Sequence, residues 1–304
     1  MNVELVYYKA QGGNFGDDLN EWLWDDLLPG WRAWDPEVAL VGVGTILNAG
    51  LVPAGRKLVM GSGVGYGQAP NVHEQPGDWD IRSVRGPRSA TALDVVPTLG
   101  VVDPAVMISG LSEFEGLVRG DDVIFIPHHG SNRFDWTTIC AGTGVVHVSP
   151  TGDSKEVIKR IATARAVIAE SMHAAIIADA FGVPWHAVAI SNAFNTFKWG
   201  DWAESLSLEL RTTTFFRSFR QAQRMIRAVR RRPAPAGGIT STTQRVDPAS
   251  SRDQQAGHPL LASIARRTIQ RVAAGEFQLS DRTVLNERRA AFSSILDSTK
   301  RDYG

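Results

Sequence analysis

The sequence holds one cysteine, Cys140, among 304 residues. A single thiol excludes an intramolecular disulfide, and without paired Cys/His spacings no zinc site is expected. A reducing compartment follows. No run of about 18 apolar residues occurs. The N-terminal stretch MNVELVYYKAQGG has no basic region leading into an apolar segment with a small-residue cleavage site. Neither a membrane span nor a secretory leader is therefore expected, and the expected location is the cytoplasm. An excess of one charge is missing as well: Lys+Arg and Asp+Glu both number 32. That leaves no overall positive field and argues against generic nucleic-acid binding.

What remains is a chain of ordinary globular composition, 43% hydrophobic and 21% charged, long enough for two domains of roughly 100–200 residues each. Short β-rich runs alternate with helical patterns. The runs are Val3–Tyr8, Val38–Val43, Lys57–Met60 and Asp80–Val84, then Val123–Ile126, Val145–Val148, Ala166–Ala169 and Trp185–Ile190. Helical periodicity covers Asp17–Leu28, Ser154–Ala164 and Ser171–Phe181, the last stopped by Gly182 and Pro184. This alternation predicts an α/β fold of parallel sheets with crossover helices. A charged, loop-like stretch from Ser109 to Asp122 separates the two sets, which places one lobe at residues 1–112 and another at 113–214. No internal repeat is present.

The strand ends carry the candidate chemistry. Gly12–Asp18 follows the first strand and opens a helix, so its backbone N–H groups are suited to an anion. A tight turn capped by Asp17 or Asp18 explains the same residues, and the segment matches neither GxGxxG nor the P-loop pattern. Gly61–Gly67 alternates four glycines after another strand, in a flexible loop or beneath a ligand. Arg85 follows Asp80–Val84, where a guanidinium serves either bidentate anion recognition or a salt bridge. Asp78-Trp79-Asp80 has the DxD spacing of metal-dependent glycosyltransferases but precedes a strand, so no metal site is predicted there. His128 and His129 follow Val123–Pro127, and Glu170–His173 follows Ala166–Ala169. A lone histidine on an apolar helix is usually a core residue. His173, however, falls in the first turn, where the helix N-terminus lowers an imidazole pKa and suits it to proton transfer. The aromatic groups Trp22/Trp24 and Phe197/Trp199/Trp202 are suited to stacking on sugar rings or to core packing.

In this order the motifs resemble the polysaccharide pyruvyltransferase family, in particular its bacterial exopolysaccharide enzymes of the succinoglycan type. The resemblance covers residues 1 to about 215. Its carriers are Gly13 with the Asn14–Trp24 segment, VGVGTILN at Val41–Asn48, VRGPRSA at Val84–Ala90, Asp103-Pro104-Ala105, the IPHH strand end, Ala164–Trp185, and FKWGDW at Phe197–Trp202. It implies two Rossmann-like lobes in a GT-B-like arrangement with the active site between them. It also implies phosphoenolpyruvate as the donor of a pyruvate ketal to two sugar hydroxyls, with no other cofactor and no metal. The acceptor would be a lipid-linked oligosaccharide or polysaccharide.

Carried over by residue, the resemblance puts Arg85 at the donor phosphate or carboxylate. Ser171, Met172 and His173 also sit at the donor, with Ser171-Met172 standing where many members have Arg-Leu. From the chemistry of ketal formation, His173 is expected to transfer a proton, His128 with Asp17 or Asp18 to handle the acceptor hydroxyls, and Asn14, His129, Trp199 and Trp202 to contact the acceptor. A nucleotide-sugar glycosyltransferase of the same shape and a non-catalytic sugar-binding assembly protein remain as alternatives.

The last third of the chain changes character. Arg217, Arg220, Arg224, Arg227 and Arg231 recur at helical spacing beside Phe216, Phe219, Ile226 and Val229. An amphipathic basic helix over 215–232 is expected, either solvated, or resting on the inner face of the cytoplasmic membrane or cradling the diphosphate of a lipid-linked acceptor. From 233 to 258 Ile239 and Val246 are the only large apolar residues, which predicts a mobile loop. Helical periodicity returns at Leu260–Ala274 and Asp281–Ser298, giving C-terminal helices over 259–304.

Overall fold

The computed structural model describes residues 3–51, 55–131, 134–190, 194–215 and 259–304. Nearly all of the expected basic helix and all of the expected mobile loop lie outside these residues. Among the described residues no helix is long and apolar enough to cross a membrane.

Two parallel sheets form the frame. The first has the order β1 (Glu4–Val6), β2 (Val38–Val41), β3 (Arg56–Met60), β4 (Trp79–Ser83). In the second, β5 (Val123–Ile126) lies between β6 (Val145–His147) and β7 (Ala166–Ala169), followed by β8 (Trp185–Ala189) and β9 (Thr212–Thr214). Every residue of β5 and β7 is buried. The unbroken runs VIFI and AVIA are what strands covered on both faces require. This is the α/β architecture the alternation predicts. The short β9, whose three threonines carry no apolar pattern, is an addition.

Helices fill the connections. The predicted Asp17–Leu28 helix starts earlier and is broken into α1 (Phe15–Asp18) and α2 (Asn20–Leu27). Beyond β4 comes α3 (Pro87–Ala92), and α4 (Trp136–Cys140) links β5 to β6. The amphipathic α5 (Ser154–Ala162) begins at Asp153, whose side chain accepts the Glu156 N–H, and buries Val157, Ile158 and Ile161. By contrast every residue of α6 (Met172–Ala180) is buried. It shares one continuous core with Val102, Ala105, Val106 and Ile108 from the end of the first half of the chain. A helix apolar all round is one enclosed on all sides, and the small residues of MHAAIIADA let both halves approach it.

Two later segments return to the first sheet. The helix α7 (Thr196–Ser205) packs on α3. There Asp201 Oδ2 accepts from Arg85 Nε at 3.0 Å and from Ser89 Oγ at 2.6 Å, while Oδ1 accepts the Ser89 N–H at 2.9 Å. The Arg85 guanidinium also donates to Thr45 Oγ1 and Val64 O, each at 2.7 Å. Gly63 makes room for it, since a Cβ there would stand 2.2 Å from Cζ. After α8 (Pro259–Ala273), α9 (Arg282–Tyr303) runs back along the molecule. Its Arg289 donates to Val106 O, Ser109 Oγ and Ala180 O. At its end Tyr303 stacks on Trp34, with centroids 5.5 Å apart, and donates to Asp80 Oδ2 at 2.5 Å.

Both Arg85 and Asp201 are fully buried, so removing either charge strands the other away from water. Asp201→Ala is expected to lower the unfolding free energy by about 3–5 kcal/mol, measured by urea denaturation. Arg85→Lys is expected to fall nearly as far, because one ammonium cannot reach Asp201, Thr45 and Val64 together. A wild-type midpoint in either variant would contradict this account of the pair.

Candidate active site

The second sheet reverses direction around β5: the chain moves outward to β6, then crosses back to β7 on the other side. In parallel sheets the crevice for ligands opens at the carboxyl ends of strands that diverge in this way. His128 follows β5 and Glu170–His173 follows β7. The two ends are tied, since Ile126 O accepts the Glu170 N–H and Glu170 Oε2 accepts the His128 N–H, both at 3.0 Å.

The first sheet supplies the opposite wall. Phe15 donates its N–H to Pro150 O, and Ser154 Oγ donates to Phe15 O, both at 2.9 Å. These bonds press α1 onto the second half of the chain. Gly16 lies directly on His173, where any Cβ would come within 2.2 Å of Nδ1. Glycine at this position is what allows Asp17 and His173 to share one buried cluster. Asn14 Nδ2 donates to Asp17 Oδ2 at 2.5 Å.

Lys198, on α7, joins the cluster although the sequence offers it only as part of an aromatic run. It is 8% exposed, its Nζ donates to Tyr66 OH at 3.0 Å, and it lies 5.2 Å from the Tyr66 ring centroid. Asn195 positions it by accepting the N–H groups of Phe197 and Lys198 at the start of α7, while donating to Gly65 O. An asparagine N-cap was the available signal.

The electrostatics follow from burial around this one cation. Burial pushes the Asp17 carboxyl up to about 7, against the pull of Lys198 and Asn14, with Asp18 and Asp103 adding to the rise. Burial likewise pushes His173 down to about 3, helped by Lys198 and Arg85. His128 is also pushed down to about 3, by burial, then by His129 and Lys198. Asp103 rises to about 6 through burial, restrained by the Ala105 N–H and by Arg85. Near neutrality the imidazoles are therefore uncharged while Asp17 exchanges its proton. His128 Nδ1 accepts the Gly130 N–H at 3.0 Å, which leaves its ring proton on Nε2 as a donor. Among the described residues no group of three or more His, Cys, Asp or Glu side chains is placed to hold a metal ion.

Several expected site residues have other positions. Arg85 is enclosed in its ion pair with Asp201, so it presents no fork to a donor; its charge reaches the cleft only through space. Trp199 and Trp202 are fully buried, packed on Trp185 with centroids 6.2 and 5.1 Å away, and offer no face to a sugar. Met172 belongs to the core, and Ser171 is buried at the start of α6. Asp18 closes the first turn of α1 by accepting the Asn14 N–H at 2.9 Å. His129 stays at the rim, its ring 4.2 Å from His128 and 6.5 Å from the exposed Tyr8.

Comparison with known proteins adds an independent line. Residues 11–192 match the family model described as polysaccharide pyruvyl transferase. The chain is 43% identical over 318 aligned positions to the succinoglycan biosynthesis protein ExoV of Rhizobium meliloti (strain 1021), covering 99% of this chain and 100% of that protein. No solved structure is significantly similar to the chain.

The raised Asp17 pKa ties stability to pH. The folded state holds this proton between the ordinary value of 3.8 and about 7. The stabilising contribution is thus fully present below 3.8 and is lost as pH rises to about 7. Asp17→Asn removes that dependence. Between pH 4 and pH 8 the variant is expected to gain stability relative to the wild type by a few kcal/mol, at most about 4. Denaturant titrations across this range check it, and parallel stability curves for the two proteins would show that Asp17 ionises normally.

Proposed function

Because the chain belongs to the polysaccharide pyruvyl transferase family, we propose that its cleft moves pyruvate from phosphoenolpyruvate onto two hydroxyls of one sugar as a cyclic ketal, in exopolysaccharide biosynthesis. The observation that supports this reading best is the convergence of one cation, neutral imidazoles and a carboxyl near 7 at the junction of the two sheets. Two parallel sheets contributing opposite walls also suit a GT-B-like arrangement of lobes.

The chemistry asks for these groups. One sugar hydroxyl adds to the central carbon of the enol phosphate while the methylene carbon takes a proton. The C–O bond to phosphate then breaks, and the second hydroxyl closes the ring. Of the two hydroxyl protons lost, one balances the new methyl group and the other leaves with phosphate. The step requires no redox change and no nucleotide.

Lys198 meets the negative charge of the donor, held in place by Tyr66. His173, neutral at rest, delivers to the methylene carbon the hydroxyl proton that Asp17 passes to it. Asp17 takes the hydroxyl proton, a role for which a pKa near the working pH is best. His128 donates Nε2–H to an acceptor oxygen. The sugar lies against the rim aromatics Tyr8 and Tyr66, which are 43% and 46% exposed. They replace the enclosed Trp199 and Trp202 as stacking faces.

Phosphate release and mass spectrometry of a candidate lipid-linked oligosaccharide incubated with phosphoenolpyruvate test the reading. It requires stoichiometric phosphate and a mass gain of one ketal, and fails if only a nucleotide sugar is consumed. His173→Gln, which can hydrogen-bond but not titrate, is expected to lose roughly 10²–10⁴-fold in turnover. Lys198→Met should weaken phosphoenolpyruvate binding by at least tenfold in calorimetry, consistent with loss of a charge-assisted contact of about 1.5–3 kcal/mol. Wild-type donor affinity in that variant would remove Lys198 from the donor site.

A further inference from the structure

Asp103 enters none of the roles above, yet it faces the ring that does. Its Oδ2 lies 3.9 Å from His173 Nε2. Both atoms are shut off from solvent, and neither has a hydrogen-bond partner among the described residues. A buried donor or acceptor left unmet bears the full cost of its desolvation. The gap is too short for a bridging water, which needs about 5 Å between the two outer atoms, and about 1 Å longer than a direct bond.

Neither group has an easy alternative. Asp103 Oδ1 accepts the Ala105 N–H at 3.0 Å, capping the turn that follows and fixing the carboxylate plane. On the other side of the ring Gly16 leaves beside Nδ1 the space that any Cβ would fill, and α6, which carries the ring, is buried along its whole length. The groups whose charges bear on His173 and Asp103 are Lys198 on α7 and Arg85 beyond β4, together with Asp17 on α1 and Asp201 on α7.

We infer that Asp103 is a positioning residue for His173: its Oδ2 takes the enclosed Nε2–H and leaves Nδ1 to exchange protons with the substrate. The inference rests on the pyruvyl-transfer reading for its catalytic consequence. Hydrogen bonds of this kind are often long in an empty site and shorten in the reacting complex. When Nδ1 takes up, by way of Asp17, the proton that the acceptor hydroxyl loses, the imidazolium donates through Nε2–H to Asp103. Delivery of the Nδ1 proton to the methylene carbon forms the new C–H bond and restores the neutral Nε2–H tautomer. Asp103 itself neither gains nor loses a proton, as in other carboxylate–histidine pairs.

Asp103→Asn separates this role from a purely structural one. The Asn side-chain carbonyl can still cap Ala105, but an amide N–H in place of Oδ2 enforces the opposite imidazole tautomer. Phosphoenolpyruvate affinity should stay within about twofold, while turnover falls by roughly 10²–10⁴-fold and the pH–rate profile changes shape. Wild-type turnover with an unchanged profile would overturn the inference. Nitrogen-15 NMR of the wild-type protein, with His173 assigned by comparison with His173→Gln, provides a measurement that does not depend on the Asn variant folding. An Nε2–H tautomer supports the pairing and an Nδ1–H tautomer refutes it. If wild-type protein releases no phosphate from phosphoenolpyruvate, the pyruvyl-transfer reading fails, while the tautomer still decides whether Asp103 orients His173.

Discussion

The buried ion pair between Arg85 and Asp201 is the constraint on which the cleft depends. It joins the turn after β4 to α7 across 116 residues of chain, and α7 carries Lys198. Two desolvated charges in contact are a weak source of stability but a strict source of geometry, because neither tolerates a change of partner. Ser89, Thr45 and the Val64 carbonyl satisfy most of what remains of both groups. Lys198 is thus held in place from behind by a network whose central ion pair is closed off from solvent.

Around that cation the protein arranges its protons unevenly. Carboxyls are pushed up and imidazoles down, so a proton near neutrality resides more readily on Asp17 than on His173 or His128. The ordering reverses that of the free side chains, and burial is the first cause at every site. Glycines make this density of ionisable groups possible, for Gly16 and Gly63 stand where any side chain would collide with His173 or Arg85. Water would relax the ordering toward ordinary values, so the cluster depends on the close fit of α1 against Pro150 and Ser154.

The parallel strands were the most legible part of the sequence. Val123–Ile126 and Ala166–Ala169 are apolar at every position because both faces are covered, and their ends place His128 and His173 without further information. Partners far apart in the chain left no such trace. Arg85 reads equally as an anion site or a salt bridge until Asp201 is seen beside it, and the tryptophans of FKWGDW read as a platform or as core until α7 buries them. Gly200 and the aromatic bulk disguise that helix, so in the sequence Lys198 groups with its aromatic neighbours instead of with the histidines. Asp103 belongs to a local motif, but the imidazole it faces is 70 positions away, beyond the reach of any local pattern.

The closure of α9 onto the first sheet bears on how the protein is made. Arg82 meets Asp302 and Asp80 meets Tyr303 across separations of 220 and 223 residues. A ribosome adding roughly 5–20 residues per second needs about 10–45 s to span such an interval. Throughout that time the first sheet has emerged while the helix that covers its edge has not. Trp34, which in the finished protein stacks on Tyr303, spends the wait without its cover. The half of the molecule synthesised first is therefore completed late, and an elongating chain carries an unfinished β-sheet until α9 has been made.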